Sequence, residues 1–184
     1  MDLSRFECLY NEASLAEAVS QLGARIDHDY PEGELVLLVV LKGAFVFAAD
    51  LVRRIQRPLF IDFVQLASYG DQTCSSGQVT WLQEPRLSLK QRHVLVVEDI
   101  LDTGNTLRHL LDYIQQQQPL SLRLCCLLNK HAQRRHAITC DYTGFHLQSG
   151  FVVGYGLDYA EQFRGLGAIY ALPASSVSPE GETS

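Results

Sequence analysis

The sequence predicts an α/β protein built on a mostly parallel central sheet flanked by helices. Three observations carry this. The apolar runs at Leu35–Leu41 and 94–97 are continuous rather than alternating, as in strands buried on both faces, and 122–128 reads as another buried strand. Between them lie segments whose apolar residues recur at helical spacing, so strand and helix alternate along the chain. A length of 184 residues suits one domain, at roughly 100–200 residues each.

The elements follow in order. Ser14-Leu15-Ala16-Glu17 is a capping-box pattern, with Leu15, Val19, Leu22 and Ile26 behind it, so a first helix is expected to open at Ser14. After the strand at Leu35–Leu41, Phe45, Leu51, Val52 and Ile55 predict a helix over 45–56. Residues 59–67 read as a strand. The small, polar stretch 68–78 reads as a mobile loop, 79–82 as a short strand, and Pro85 with 87–92 as a connector. The strand at 94–97 leads to a helix over 106–118 carrying Leu107, Leu110, Leu111 and Ile114, which Pro119 stops. Residues 122–128, 138–145 and 151–153 read as further strands. A single domain over 1–172 is expected, with 173–184 as a disordered tail.

Composition narrows the class. Fifteen Lys+Arg against 21 Asp+Glu give a net charge of −6, a poor balance for nucleic acid, so no nucleic-acid partner is expected. The longest apolar run is far short of the ~20 residues of a membrane span. The N-terminus has no basic stretch followed by an apolar core, so no signal peptide and no membrane association are expected, and a cytoplasmic setting follows. Five cysteines, an odd number without a Cys-x-x-Cys, read as reduced, buried thiols rather than disulfides or zinc ligands.

In a parallel sheet, ligands bind at the carboxyl ends of the strands. There the chain reads Glu98-Asp99-Ile100-Leu101-Asp102-Thr103-Gly104-Asn105-Thr106. Gly104 permits close backbone approach, Thr103 and Thr106 offer hydroxyls, and successive N–H groups entering a helix make an anion nest for a single phosphate. The lysine-bearing pattern of triphosphate loops is absent. Two carboxylates beside a phosphate nest suit the vicinal diol of a phosphorylated sugar. The bland alternative, a helix cap at Asp102 or Thr103 with solvated acids upstream, fits each residue alone and fits the nine-residue string poorly.

The string from Val94 to Leu107 resembles the phosphoribosyl-diphosphate signature of the type I phosphoribosyltransferases. Further blocks in the same order are similar to the hypoxanthine-guanine branch: Leu41-Lys42-Gly43, Ser68-Tyr69, Lys130 after Leu127-Leu128-Asn129, and 151–159 with Phe163-Arg164. The resemblance covers about residues 35–172. It implies the type I phosphoribosyltransferase fold, with a small hood from the terminal segments. It also implies transfer of a 5-phosphoribosyl group from phosphoribosyl diphosphate to N9 of hypoxanthine or guanine. By the same resemblance Asp102 is the general base and Glu98 and Asp99 hold the ribose. Residues Asp102, Thr103, Gly104, Asn105 and Thr106 clamp the 5′-phosphate, and Lys42, Gly43 and Arg164 hold pyrophosphate. Lys130 reads the purine 6-carbonyl, Ile100 and Phe151 sandwich the ring, Val152 reads its edge, and Ser68 and Tyr69 belong to a lid. Mg²⁺ is expected, at Asp158 and at the ribose beside Glu98 and Asp99, because a polyanionic substrate in an acidic protein needs cations. A homodimer or homotetramer is expected from the relatives. Taken singly, Lys42, Asp158, Arg164 and Lys130 also suit surface, turn or ion-pair roles, and Phe151 a core role. The chain departs from many relatives at Ala44, where a second glycine is common, at Asn105, and at Gln148-Ser149-Gly150 before Phe151. A nucleotide-sensing regulator on the same fold, or an enzyme for another base, remains the alternative at this point.

Overall fold

The computed structural model describes residues 6–68, 79–130 and 137–173. In chain order the elements are β1 (Glu7–Tyr10), α1 (Glu12–Asp29), β2 (Leu35–Leu41), α2 (Phe45–Val52), β3 (Leu59–Ser68), β4 (Val79–Gln83), β5 (His93–Leu101), α3 (Asn105–Gln116), β6 (Ser121–Lys130), β7 (Tyr142–Leu147), β8 (Val152–Val153) and β9 (Ile169–Ala171). The larger sheet runs β4-β3-β2-β5-β6-β7, and a three-stranded sheet runs β1-β9-β8. In the larger sheet β2, β3, β5, β6 and β7 pair in parallel and β4 closes one edge antiparallel to β3.

Alternation along the strands sorts the core into two layers. Leu35, Leu37 and Val39 of β2 pack under α1 and α2, through Leu15, Leu22, Phe47 and Leu51. Val36, Leu38 and Val40 face the other way, with Leu107, Leu110 and Ile114 of α3. Both faces being covered is why the strand sequences are apolar without a break. The buried Asp62 accepts from the amides of Phe63, Arg86 and Leu87, which fastens the connector after β4 to β3. Among the described residues no helix is long and apolar enough to cross a membrane.

Several boundaries differ from expectation. Asn11, not Ser14, caps α1: its side chain accepts from the Ser14 amide at 2.9 Å, and the Ser14 hydroxyl donates to the Asn11 carbonyl at 2.8 Å. The helix expected over 45–56 ends at Val52. Two strands, β1 and β9, are not expected from the sequence; they are short, and their ladder, with β8, joins residues 7–10 to residues 169–171. Of the thiols expected to be buried, Cys125 and Cys126 are, Cys140 is half-buried and Cys8 is exposed. The expected loop beyond Ser68 and the tail beyond Pro173 fall outside the described residues.

The order of the strands also sets where a ligand belongs. From β2 the chain moves outward through α2 to β3; from β5 it moves the opposite way through α3 to β6. The neighbours β2 and β5 are therefore the point where the winding reverses, and a crevice opens beyond their carboxyl ends. The turns at 42–44 and 102–104 leave the sheet there.

Candidate active site

The strand expected over 94–97 continues to Leu101, pairing Glu98 with Cys126, Ile100 with Leu128 and Leu101 with Asn129 of β6. Glu98 and Asp99 are thus strand residues rather than turn residues. Successive strand positions point to opposite faces. Glu98 lines a cavity of about 220 Å³ with Ile100, Asp102, Thr103, Gly104 and Thr106. The Asp99 carboxylate sits instead against Gly43, so closely that a Cβ on Gly43 would lie 1.6 Å from Asp99 Oδ2. Asp99 Oδ1 accepts from the Ile100 amide at 2.8 Å. Both carboxyls titrate above their ordinary range. Burial is the main cause for each, and for Glu98 the neighbouring Asp99 charge comes next.

Gly104 stands at φ +82° as the N-cap of α3 and provides no side-chain cap. The left-handed conformation is one that glycine adopts at no steric cost, and it turns the chain so that the first amides of α3 face the cavity. Thr103 Oγ1 lies 3.5 Å from the Asn105 amide. The residues expected to form a one-phosphate nest thus stand together at the amino end of a 12-residue helix.

Lys130 ends β6 and is only 5% exposed. Its ammonium donates to Asp102 Oδ2 at 2.8 Å and lies 5.8 Å from the centre of the Phe151 ring. These three residues, expected to have separate tasks, are brought to one place by the fold. Phe151 is half-exposed and Val152 buried, both at the start of the small sheet, while Ile100 is half-buried on β5. Tyr69 lies outside the described residues, and of Ser68 only its place at the end of β3 is described.

The second cluster lies where the turn after β2 meets the chain after β8. The Leu41–Lys42 peptide is cis. The Gly43 carbonyl oxygen faces Gly156, where a Cβ would come within 2.2 Å of it. Arg164 donates to the Gly156 carbonyl at 2.9 Å and pairs with Asp158 Oδ1 at 2.8 Å. Glu161 links both cations, at 2.9 Å to Lys42 and 3.2 Å to Arg164, and those two charges, Lys42 first, hold its carboxyl below the ordinary range. Sequence reasoning missed Glu161 and Gly156. Their signals were present: Glu161 lies three residues before Arg164, and Gly154-Tyr155-Gly156 is a glycine pair inside an otherwise bulky run.

A larger cavity of about 530 Å³ lies on the α1–α2 side, lined by Glu12, Phe45, Asp50, Tyr155 and Arg164 among others. Its lining sets two acids, Glu12 and Asp50, against the single cation Arg164, a poor balance for a phosphate group.

The donor set suits magnesium. Among the described residues no three His, Cys, Asp or Glu side chains gather into a metal cage. Two neighbouring acids with raised pKa values are what a hard divalent ion relieves, and Mg²⁺ typically takes one or two carboxylates with phosphate and water completing its shell.

A doubly wound sheet with a phosphate nest and paired acids at its switch point defines a protein that handles a phosphorylated sugar. The chain matches the phosphoribosyl transferase domain family over residues 7–160. It is 40% identical to the hypoxanthine-guanine phosphoribosyltransferase of Dictyostelium discoideum, with 87% of this chain and 91% of that protein covered. It is 43% identical to the bifunctional protein TilS/HprT of Listeria innocua, of whose length the chain spans 24%. Its fold superposes on a Staphylococcus aureus hypoxanthine phosphoribosyltransferase with a TM-score of 0.91 at 36% identity, over 95% of this chain and 96% of that one. The chain belongs to the hypoxanthine-guanine phosphoribosyltransferase family.

Proposed function

We propose that this protein is a purine salvage enzyme. It moves the 5-phosphoribosyl group of phosphoribosyl diphosphate to N9 of hypoxanthine or guanine, giving the nucleoside monophosphate and pyrophosphate. The observation that carries this is the segment 98–106, in which acids at a strand end and a left-handed Gly104 surround one cavity at the sheet's switch point.

Breaking the sugar–pyrophosphate bond develops positive charge at the anomeric carbon, as in glycoside cleavage. The amides and hydroxyls of 102–106 anchor the 5′-phosphate, which positions that carbon from its far end. Glu98 and Asp99, reaching from opposite faces of β5, accept from the ribose hydroxyls and place negative potential near the developing cation. Asp102 holds the purine N7 proton as N9 attacks. Lys130, a donor only, faces the 6-carbonyl; an adenine amino group there would set donor against donor. Phe151, Ile100 and Val152 frame the base. Lys42, the Gly43 backbone and Arg164 take the pyrophosphate. Magnesium would be held at Glu98 and Asp99 on the ribose side and at Asp158 on the other, supplying charge neutralisation for the diphosphate. Ser68 and Tyr69 belong to a lid that excludes water from the reacting carbon. The enzyme is cytoplasmic and works as a homodimer or homotetramer, for which the exposed Phe45 ring on α2 is one apolar contact. It does not act on nucleic acid or at a membrane.

The test mixes protein, phosphoribosyl diphosphate and Mg²⁺ with hypoxanthine, guanine, adenine or xanthine. Nucleotide is expected from the first two. No product from either ends the proposal, and a preference for adenine overturns the role of Lys130.

A further inference from the structure

Between Asp158 and Arg164 lies an acid that the reaction above does not use. Tyr159 and Gln162 exchange backbone hydrogen bonds of 3.3 and 3.1 Å, closing a turn whose central residues, Ala160 and Glu161, stand at φ +52° and +61°. Phe163 follows at +74°. Tight turns with both central residues left-handed are normally made with Asn and Gly. Here three side-chain-bearing residues are held in that region, at a steric cost that something must offset.

What holds them is the polar network. The Glu161 amide donates to Asp158 Oδ2 at 2.9 Å. One Glu161 carboxylate oxygen accepts from Lys42 Nζ at 2.9 Å, and the other accepts from Arg164 at 3.2 Å. A single carboxylate therefore spans the two cations, with one oxygen on each. A diphosphate oxygen would engage the same donors in the same manner.

We propose that Glu161 is a built-in competitor for the pyrophosphate subsite, whose carboxylate occupies Lys42 and Arg164 in the empty enzyme and is displaced when a diphosphate group binds. This rests on the assignment of Lys42 and Arg164 to pyrophosphate. Glu161 weakens the hold on the diphosphate of the substrate and on the pyrophosphate product alike, and so favours product departure. The effect is moderate. The Lys42 and Glu161 side chains are 54% and 65% exposed, so both contacts are screened by water. Two such contacts amount to a competition of about three- to tenfold.

The experiment compares the full chain as wild type, Glu161→Gln and Glu161→Gly. The glycine variant also relieves the left-handed backbone, so it folds even if the glutamine variant does not. Pyrophosphate with Mg²⁺ is titrated calorimetrically, and KM is measured for both substrates. Both variants are expected to bind pyrophosphate about three- to tenfold tighter and to show a lower KM for phosphoribosyl diphosphate, with the KM for hypoxanthine unmoved. Glu161→Asp, whose shorter arm keeps the charge, falls between the wild type and these two variants. A structural role alone would loosen the site, so unchanged or weaker pyrophosphate binding in the folded variants overturns the proposal. If the wild type itself neither binds pyrophosphate nor makes nucleotide, the function proposed above fails and this inference with it. If the wild type does both and the variants bind no tighter, only the competitor role is lost.

Discussion

Replacing Gly43 by alanine perturbs the site with a single methyl group. The new Cβ would lie 1.6 Å from Asp99 Oδ2 and 2.5 Å from its Cγ. Ordinary contact begins near 3.4 Å, so about 1.8 Å must be found. The turn cannot retreat, because its carbonyl already faces Gly156 at a distance that would exclude a Cβ there. The Asp99 side chain is the part that can move. It swings away, at the expense of its hydrogen bond to the Ile100 amide. Folding therefore suffers modestly, by about 1 kcal/mol, the low end for overpacking, or about 2–4 °C in Tm. Catalysis suffers more. A charge-assisted hydrogen bond to a ribose hydroxyl contributes about 1.5–3 kcal/mol, so kcat/KM is expected to fall about tenfold to a hundredfold. The assay is nucleotide formation from hypoxanthine, beside a thermal melt. Gly165→Ala is the control, since nothing lies within 4 Å of a Cβ there, and it keeps wild-type rates. A folded Gly43→Ala protein with kcat/KM within threefold of wild type would refute the role of Asp99 and the tightness of the turn together.

Asp102→Asn is expected to keep phosphoribosyl diphosphate binding and lose about 10²–10⁴ in kcat; it also removes the carboxylate paired with the buried Lys130 ammonium, so its Tm falls, and wild-type turnover would remove Asp102 as the base. Lys130→Met exchanges a buried cation for an apolar chain and is expected to lower kcat/KM for hypoxanthine by about tenfold or more, leaving a 6-carbonyl without its donor; an unchanged ratio of hypoxanthine to adenine activity speaks against it. The Cys140 thiol is lowered to about 7 from 9.0, chiefly by its hydrogen bond with Cys126. A depressed folded pKa gives stability that is present above the unfolded value and lost as pH falls through 7. The stability gap between wild type and Cys140→Ser should therefore widen between pH 7 and 9, by no more than about 3 kcal/mol, and urea unfolding at the two pH values that shows a constant gap contradicts it. Chelation of Mg²⁺ is expected to reduce phosphoribosyl diphosphate affinity more than a hundredfold, which isothermal titration with and without chelator measures; equal affinities would exclude the ion from binding.

The layers of this fold were legible because burial on both faces writes an unambiguous pattern. Leu35 to Leu41 has no polar residue to interrupt it, and every position of that strand is either buried or nearly so. The same rule explains where the sequence misled. Beyond Val97 the residues become charged, so the apolar pattern ends while the strand goes on: the β5–β6 ladder extends through Leu101, and polarity there marks the crevice rather than the end of the strand. Ser14 satisfied a capping pattern, but Asn11 stands three residues earlier and its carboxamide reaches the Ser14 amide, so the helix begins sooner. The short β1 and β9 were illegible for a different reason. Their ladder partners lie more than 150 residues apart in sequence, and three or four residues carry no period of their own. At the site, residue types announced themselves, whereas pairings did not. Lys130 and Asp102, or Lys42 and Glu161, are joined only by the return of the chain over the sheet.

Those pairings resolve an electrostatic difficulty. A chain of net charge −6 must admit a substrate carrying several negative charges. One like-charge pair at 4 Å costs about 4 kcal/mol at an effective dielectric near 20. An unneutralised pit of cations would solve this, at the cost of exposing bare charge in the empty protein. The structure takes another route. Lys130 is held by Asp102, Lys42 by Glu161, and Arg164 by Asp158 and Glu161, so each cation rests on an internal acid. On the proposed roles of these cations, substrate binding is an exchange of anions on prepared donors rather than a new pairing, with a small net electrostatic gain. In the proposed reaction, discrimination would rest on what the internal acids cannot supply: the amides around Gly104 and the ammonium of Lys130, with charge neutralisation from magnesium when it is bound. The raised pKa values of Glu98 and Asp99 come first from their burial, to which the Asp99 charge adds for Glu98, so that both acids favour a proton in the empty protein.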